Sequence, residues 1–294
     1  MSLPCLLPPD SQIGMYLAEA DVVKRYRASG EPLGPTTGSF KGLTTSIGGY
    51  TPPGLFIVHG QPGVGKTAFC AQISAEAGFP AIYVTTEMLP LEMVRRHLAR
   101  ELGIPRDQLL TGDAEAEERI ALSGSLDAQT QPWYLVDGCD VAVPVEWLAD
   151  QVDGLKRRYN TPHALVVVDS LQSWAMTSLT GVSSEYEQLN RAMQELRALA
   201  LDRRIPVWVI SERNRQSMQS GGMNAAAGTR RIEYGADLML SLAQAPRNHD
   251  AADPHGEVTV EVHIVKNRFG PAGYAILMGF QGNQMRFREL DLQE

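Results

Sequence analysis

The ten residues "GQPGVGKTAF", Gly60 to Phe69, follow the apolar run "LFIVH" and leave this part of the chain few folds to adopt. Gly60, Gly65, Lys66 and Thr67 satisfy G-x-x-x-x-G-K-[ST]. Glycines let the backbone turn tightly enough for successive N–H groups to face one anion. A lysine at this spacing reaches the β- and γ-phosphates of a nucleotide, and the hydroxyl after it ligates Mg²⁺. "GLFIVHG" reads as a strand and "KTAFCAQISAEAG" as a helix ended by Gly78. The helix therefore adds its positive N-terminal end to the same anion site. The residues expected to cradle ATP are Gly60, Gln61, Pro62, Gly63, Val64, Gly65, Lys66, Thr67 and Ala68.

Downstream, apolar runs alternate with helical stretches. "PAIYVTTE", "PWYLVDG", "HALVVVDS" and "PVWVISE" read as strands, and "PLEMVRRHLARELG", "VEWLADQVDGLKRRY" and "EYEQLNRAMQELRALALDRR" as helices. This alternation predicts an α/β fold, a mainly parallel sheet sandwiched by helices. From Gly256 onward, strands joined by short glycine-containing turns predict an antiparallel C-terminal edge. Ahead of the core, "DSQIGMYLAEADVVKRYRAS" reads as an amphipathic helix capped by Asp10 or Ser11 and closed by Gly30. A glycine-, proline- and threonine-rich linker follows it. The expected division is residues 1–33, helix and linker, and residues 34–294, the ATPase domain.

Composition bounds the alternatives. A chain of 294 residues buries a substantial core as one large domain with a small appendage. No apolar run approaches the ~20 residues of a membrane span, and the start lacks a basic, uninterrupted leader, so a cytoplasmic protein is expected. Three scattered cysteines without CxxC, and six dispersed histidines, offer no metal site built from protein ligands alone. The formal net charge of −8 argues against a broad nucleic-acid surface, though not against a narrow channel.

Asp169 ends "ALVVVD". In an open parallel sheet, ligands sit at the carboxyl ends of the strands. A carboxylate there can hold Mg²⁺ together with Thr67. Hydrolysis also needs a base for the attacking water. Glu87, at the end of "AIYVTTE", is the candidate from strand position; Glu92 competes but reads as a first-turn helix charge, and Asp137 is a third choice.

"GLFIVHGQPGVGKTAF", "AIYVTTEM", "ALVVVDSLQSW" and "VHIVKNRFGPAG", in that order, resemble the RecA-like core of DnaB-type replicative helicases. RadA-type recombination ATPases are close relatives, and "KNRFG" is nearer their version of the last motif. "SERNR" sits where DnaB proteins carry Ser-Gln-x-Asn-Arg, and "GTRRIEYGADLML" is similar to their segment around Ile-Glu-x-x-Ala-Asp. The resemblance implies a RecA-like P-loop NTPase with ATP and Mg²⁺ as cofactors and Glu87 as catalytic glutamate. It also implies that Lys266 and Arg268 reach into a neighbouring subunit's ATP site. The partners it implies are single-stranded DNA and further copies of the chain in a ring, a hexamer, with the N-terminal helix docking on the next protomer.

By position, two loops are the DNA-binding candidates. The first is "SWAMTSLTGVSSEYEQ"; the second is "NRQSMQSGGMNAAAGTRR", with the cations Arg215, Arg230 and Arg231. Glu212 stands where the family has a γ-phosphate-sensing glutamine, and is expected to pair with Arg213 or Arg215 and sit back from the nucleotide. Residues 1–33 resemble neither the DnaB primase-interacting domain nor a RadA zinc ribbon. Three readings remain at this level: a DnaB-like translocating or unwinding motor, a RadA-like recombination ATPase, and a nucleotide-switched assembly or regulatory ATPase that does not act on DNA.

Overall fold

The computed structural model describes residues 8–123, 132–179, 181, 184–212, 235–245 and 256–290. They fall into two compact units, Met1–Gly34 and Pro35–Glu294. The first is built on helix α1, Pro9–Ser29. Its cap is Pro8, in extended conformation, rather than Asp10 or Ser11. Proline at the first helical position loses no hydrogen bond, because that N–H has no intrahelical partner anyway. Asp10 lies in the first turn, where its charge favours the helix dipole. Gly30 closes the helix at φ 74°, its N–H donating to the Tyr26 carbonyl. The side chains of Ile13, Tyr16 and Leu17 are exposed.

In the second unit the chain runs α2 (Lys41–Ser46), β1 (Gly54–Gly60), α3 (Lys66–Ala75), β2 (Ala81–Thr85), α4 (Pro90–Leu102), α5 (Arg106–Thr111), α6 (Ala114–Ser123) and β3 (Trp133–Asp137). It continues with α7 (Val145–Arg158), β4 (Leu165–Asp169), α8 (Leu171–Ser178), α9 (Glu185–Asp202), β5 (Pro206–Glu212), β6 (Leu238–Gln244), β7 (Glu257–Asn267), β8 (Tyr274–Gln281) and β9 (Arg286–Glu289). Among the described residues all strands form one sheet, in the order β3-β2-β4-β5-β1-β6-β7-β8-β9. The stretch from β3 to β6 is parallel, and β7, β8 and β9 add in antiparallel fashion.

Alternation of side chains explains the layers. Phe56 and Val58 of β1, Val167 of β4 and Trp208 of β5 enter one core with Phe69 and Ile73 of α3. Leu55, Ile57, Val166, Val168, Val207 and Val209 face the opposite side, against Leu148 and Val152 of α7, Trp174 of α8 and Leu196 of α9. Both faces of the central strands are thus covered, which is why their sequences read as continuous apolar runs.

Two local expectations are corrected. The linker contains α2, whose second and third backbone N–H groups, Gly42 and Leu43, donate to the Glu289 carboxylate from β9. A partner 247 residues away along the chain leaves no local signature. The segment after Asp169, expected as a DNA-facing loop from Ser173 to Gln188, is instead the helix α8 at its start and the first turn of α9 at its end. Ser170 accepts from the Ser173 N–H and Ser184 from the Glu187 N–H, so each helix carries its own serine cap.

On α4, His97 stacks on Trp133 with ring centroids 4.8 Å apart and meets an Arg100 guanidinium nitrogen 3.2 Å from Nδ1. Burial, and then the Arg100 charge, lower its pKa from 6.5 to about 4. The unfolded chain takes up this proton near pH 6.5 and the folded chain only near 4. His97 therefore contributes stability above pH 6.5 that is lost as pH falls toward 4. Between pH 7 and pH 5 the loss from this group is about 2 kcal/mol. Urea unfolding at the two pH values should show that difference reduced by about this amount in His97→Phe, which keeps the stacking but cannot titrate. An equal pH dependence in both proteins would contradict it.

Candidate nucleotide site

Strand register assembles the site. Thr85 of β2 lies beside Asp169 of β4, Asp169 beside Ile210 of β5, and Gly60 of β1 beside Glu212 of β5. Residues distant in sequence therefore leave the sheet at one edge, the carboxyl ends of the parallel strands. A pocket of about 400 Å³ opens there, lined by residues including Gly63, Gly65, Lys66, Thr67, Glu87, Arg96, Asp169 and Glu212.

The loop between β1 and α3 requires its glycines. Gly63 and Gly65 have φ of 82° and 96°, where a side chain is strained. A Cβ on Gly60 would come 2.5 Å from the Leu242 carbonyl oxygen, and one on Gly65 2.9 Å from the Phe287 ring. Lys66 is buried, and its Nζ donates to the carbonyls of Gly60 (3.0 Å) and Gln61 (3.2 Å). Pro62, Gly63 and Ala68 line the pocket, whereas Val64 turns into the core beneath it.

Asp169 is buried, and its Oδ2 accepts from the Tyr83 hydroxyl at 2.7 Å. Burial pushes its carboxyl above the usual carboxylate range, and hydrogen bonds from Tyr83 and Thr67 pull the other way. The Thr67 hydroxyl and the Asp169 carboxylate thus stand together as hard oxygen donors. Among the described residues no cluster of three His, Cys, Asp or Glu could hold a metal alone. Mg²⁺ suits such a pair, since it takes one or two protein oxygens and completes its shell with water and substrate phosphates.

Glu87 stands exposed just beyond β2. Its Oε1 accepts from the Ser170 hydroxyl and, at 3.0 Å, from Ser173. Both donors converge on one oxygen. Its competitors are engaged elsewhere: Glu92 is bound by Arg96 at 3.1 Å and Arg106 at 2.6 Å, and Asp137 accepts from the Cys139 N–H. Glu212 is exposed and lines the pocket. Its backbone is tied to the Gln172 amide of α8, which also donates to Ser211. Arg213 and Arg215, its expected partners, lie outside the described residues, as do Arg230 and Arg231. Arg96, Ser170, Ser173 and Gln172 were not legible as site residues. Each depends on how α4 or α8 packs on the strand ends, and only Arg96's position on the helix after Glu87 hinted at it.

Lys266 and Arg268 are not at this edge. Lys266 pairs with Met239 of β6, which lies beside Ile57 in the middle of β1. The Arg268 N–H donates to the carbonyl of Asp237, just ahead of β6, and the Asp237 N–H donates to Leu55 near the start of β1. From Leu55 to Gly60 the strand rises roughly 17 Å. Arg268 thus leaves the sheet at its opposite end, away from the loop of its own chain, with Lys266 two residues earlier inside β7.

The chain is 25% identical over 281 residues to a probable replicative DNA helicase of Trieres chinensis, covering 92% of this chain and 60% of that protein. It is 26% identical over 258 residues to the replicative DNA helicase DnaB of Buchnera aphidicola, covering 84% of this chain and 54% of the relative. The chain spans between about half and three fifths of the length of these relatives. The fold matches a DnaB-like replicative helicase whose structure includes interactions with primase (TM-score 0.73, 18% identity, 93% of this chain and 66% of that one). It also matches a solved ATPase domain of nearly its own length (TM-score 0.72, 19% identity, 93% and 98%). The family model of the DnaB-like helicase C-terminal domain matches residues 34–289, nearly the whole second unit, and the chain belongs to that family.

Proposed function

We propose that this chain hydrolyses ATP with Mg²⁺ at sites shared between adjacent copies in a ring, and uses the cycle to move along or unwind single-stranded DNA. The observation that carries the reading is the division of residues between the two ends of one sheet. Lys66, Thr67, Asp169 and Glu87 meet at one end, whereas Arg268 leaves the sheet at the other, with Lys266 two residues before it in β7. An arginine that far from its own nucleotide loop does not act there, and in this reading it serves a neighbour's. The exposed apolar side chains of α1 provide a surface for docking on the next copy, and a ring of six is the assembly proposed.

In this reading Lys66 and the loop N–H groups bind and orient the triphosphate. Mg²⁺, held by Thr67 and Asp169, would neutralise charge on the β- and γ-phosphate oxygens. Glu87 accepts a proton from the water that attacks the γ-phosphorus while the bond to the bridging oxygen breaks, yielding ADP and phosphate. The two serine hydroxyls on Oε1 fix the carboxylate's orientation and leave Oε2 for the water. Among the described residues no helix is long and apolar enough to cross a membrane.

A second reading is favoured by the net charge of −8: a nucleotide-switched assembly or regulatory ATPase that does not act on DNA. ATP turnover with and without single-stranded DNA, measured beside strand displacement, separates the two. The motor reading expects stimulation by DNA. It also expects Arg230→Ala with Arg231→Ala to weaken DNA binding and flatten its salt dependence, because fewer counterions are released. Absence of DNA binding at low salt with an ATP analogue would hand the case to the regulatory reading.

A further inference from the structure

We propose that Asp237 is a positioning residue that fixes Arg268 in the orientation needed to reach a neighbouring copy's nucleotide; the proposal rests on the shared-site reading above. Asp237 immediately precedes β6 and is buried. Its carboxylate has three partners: Oδ1 accepts from Arg268 Nη1 at 2.8 Å, and Oδ2 from Arg197 Nη1 at 2.9 Å and the Leu55 N–H at 3.0 Å. The backbone repeats the pattern. The Asp237 N–H donates to the Leu55 carbonyl at 2.8 Å, and the Arg268 N–H to the Asp237 carbonyl at 3.0 Å. Asp237 is thus fastened to the start of β1 by side chain and main chain, and Arg268 is fastened to Asp237 in the same double way. Gly54 leaves the room for this, since a Cβ there would come 2.9 Å from Oδ2.

Charge distinguishes an aimed arginine from an ordinary ion pair. Arg197, which also donates to the Gly235 carbonyl, already neutralises the carboxylate. Arg268 makes the cluster net positive, and its side chain stays 49% exposed while that of Asp237 is 8% exposed. A guanidinium presents five donors in a rigid fork. One nitrogen anchored on Asp237 holds the fork's direction and leaves the rest for a second anion. Donors ordered beforehand need no rearrangement when transition-state charge develops, and this is what an arginine supplied from a neighbour has to achieve.

The test measures ATP turnover, ATP affinity and thermal midpoint for Arg268→Ala, Asp237→Asn, the double variant and Arg268→Lys. We expect Asp237→Asn to lower kcat roughly 10- to 100-fold with ATP affinity unchanged, and to have no further effect on kcat in the Arg268→Ala background. A buried asparagine leaves Arg197 imperfectly paired and lowers the midpoint. Arg268→Lys changes only a half-exposed residue and so tests the idea even if Asp237→Asn does not fold. Its ammonium keeps the charge and the pairing with Asp237 but cannot bridge two anions in a fixed direction, so kcat should fall nearly as far as in Arg268→Ala. Wild-type kcat in Asp237→Asn, a further loss added to that of Arg268→Ala, or near-wild-type kcat in Arg268→Lys would overturn the positioning role. If Arg268→Ala itself turns over normally, the shared-site reading fails first.

Discussion

Arg268→Ala is expected to bind ATP about as well as the wild type and to hydrolyse it on the order of 10³-fold more slowly, the usual scale for loss of an arginine acting on transferring phosphate. Its contact strengthens only as charge spreads over the γ-phosphoryl oxygens, so the loss belongs in kcat rather than in binding. The geometry adds a stricter consequence. Arg268 leaves the sheet at the start of β6 while the phosphate loop follows the end of β1, so under the proposed shared site a lone chain would carry half of two sites and a whole one of none. Turnover per chain should rise with protein concentration as copies assemble. Mixing Arg268→Ala with Lys66→Ala should restore activity to about a quarter of the interfaces, those where an intact loop faces an intact arginine. A monomer active at every concentration would remove the shared site and the ring together. Absence of rescue beside a concentration-dependent wild type would point to a ring that does not tolerate inactive neighbours.

Glu87→Gln is expected to bind ATP with Mg²⁺ and to turn it over at least ~100-fold more slowly, within the range for a lost general base. Glutamine keeps the size of the side chain and an oxygen for the Ser170 and Ser173 hydroxyls, so position is retained and basicity is lost. Lys66→Ala should fail earlier, at tight nucleotide binding. The two variants separate the steps: one holds nucleotide without turnover, the other does neither well. Near-normal turnover in Glu87→Gln would remove Glu87 from the reaction. Glu92 could not replace it while held by Arg96 and Arg106.

How much of this was legible before folding depended on the range of the physics. The loop Gly60 to Ala68, the strands around "LFIVH" and "ALVVVD", and the alternation of strand and helix are short-range matters of dihedral freedom, apolar periodicity and chain direction. Asp169 could be chosen because it ends a strand and Glu87 because it follows one by two residues, and ligands gather at strand ends. Sequence by itself therefore determined the fold class, the glycine-rich loop and the choice of two carboxylates that line the pocket beside it. It did not reveal α2, capped from Glu289, or α8 where a loop was expected, because those helices depend on distant partners and on small serine caps.

Only the tertiary structure decided which groups meet. Strand order sets β4 between β2 and β5, and β1 between β5 and β6, and this brings Asp169, Glu212 and Gly60 to one edge. The same order sends Arg268 to the other end and sets Asp237 against Leu55, 182 residues away in the chain. The physical reason is that pairing register is selected by burying both faces of the central strands at once. That sum runs over residues far apart in sequence, and no local pattern contains it.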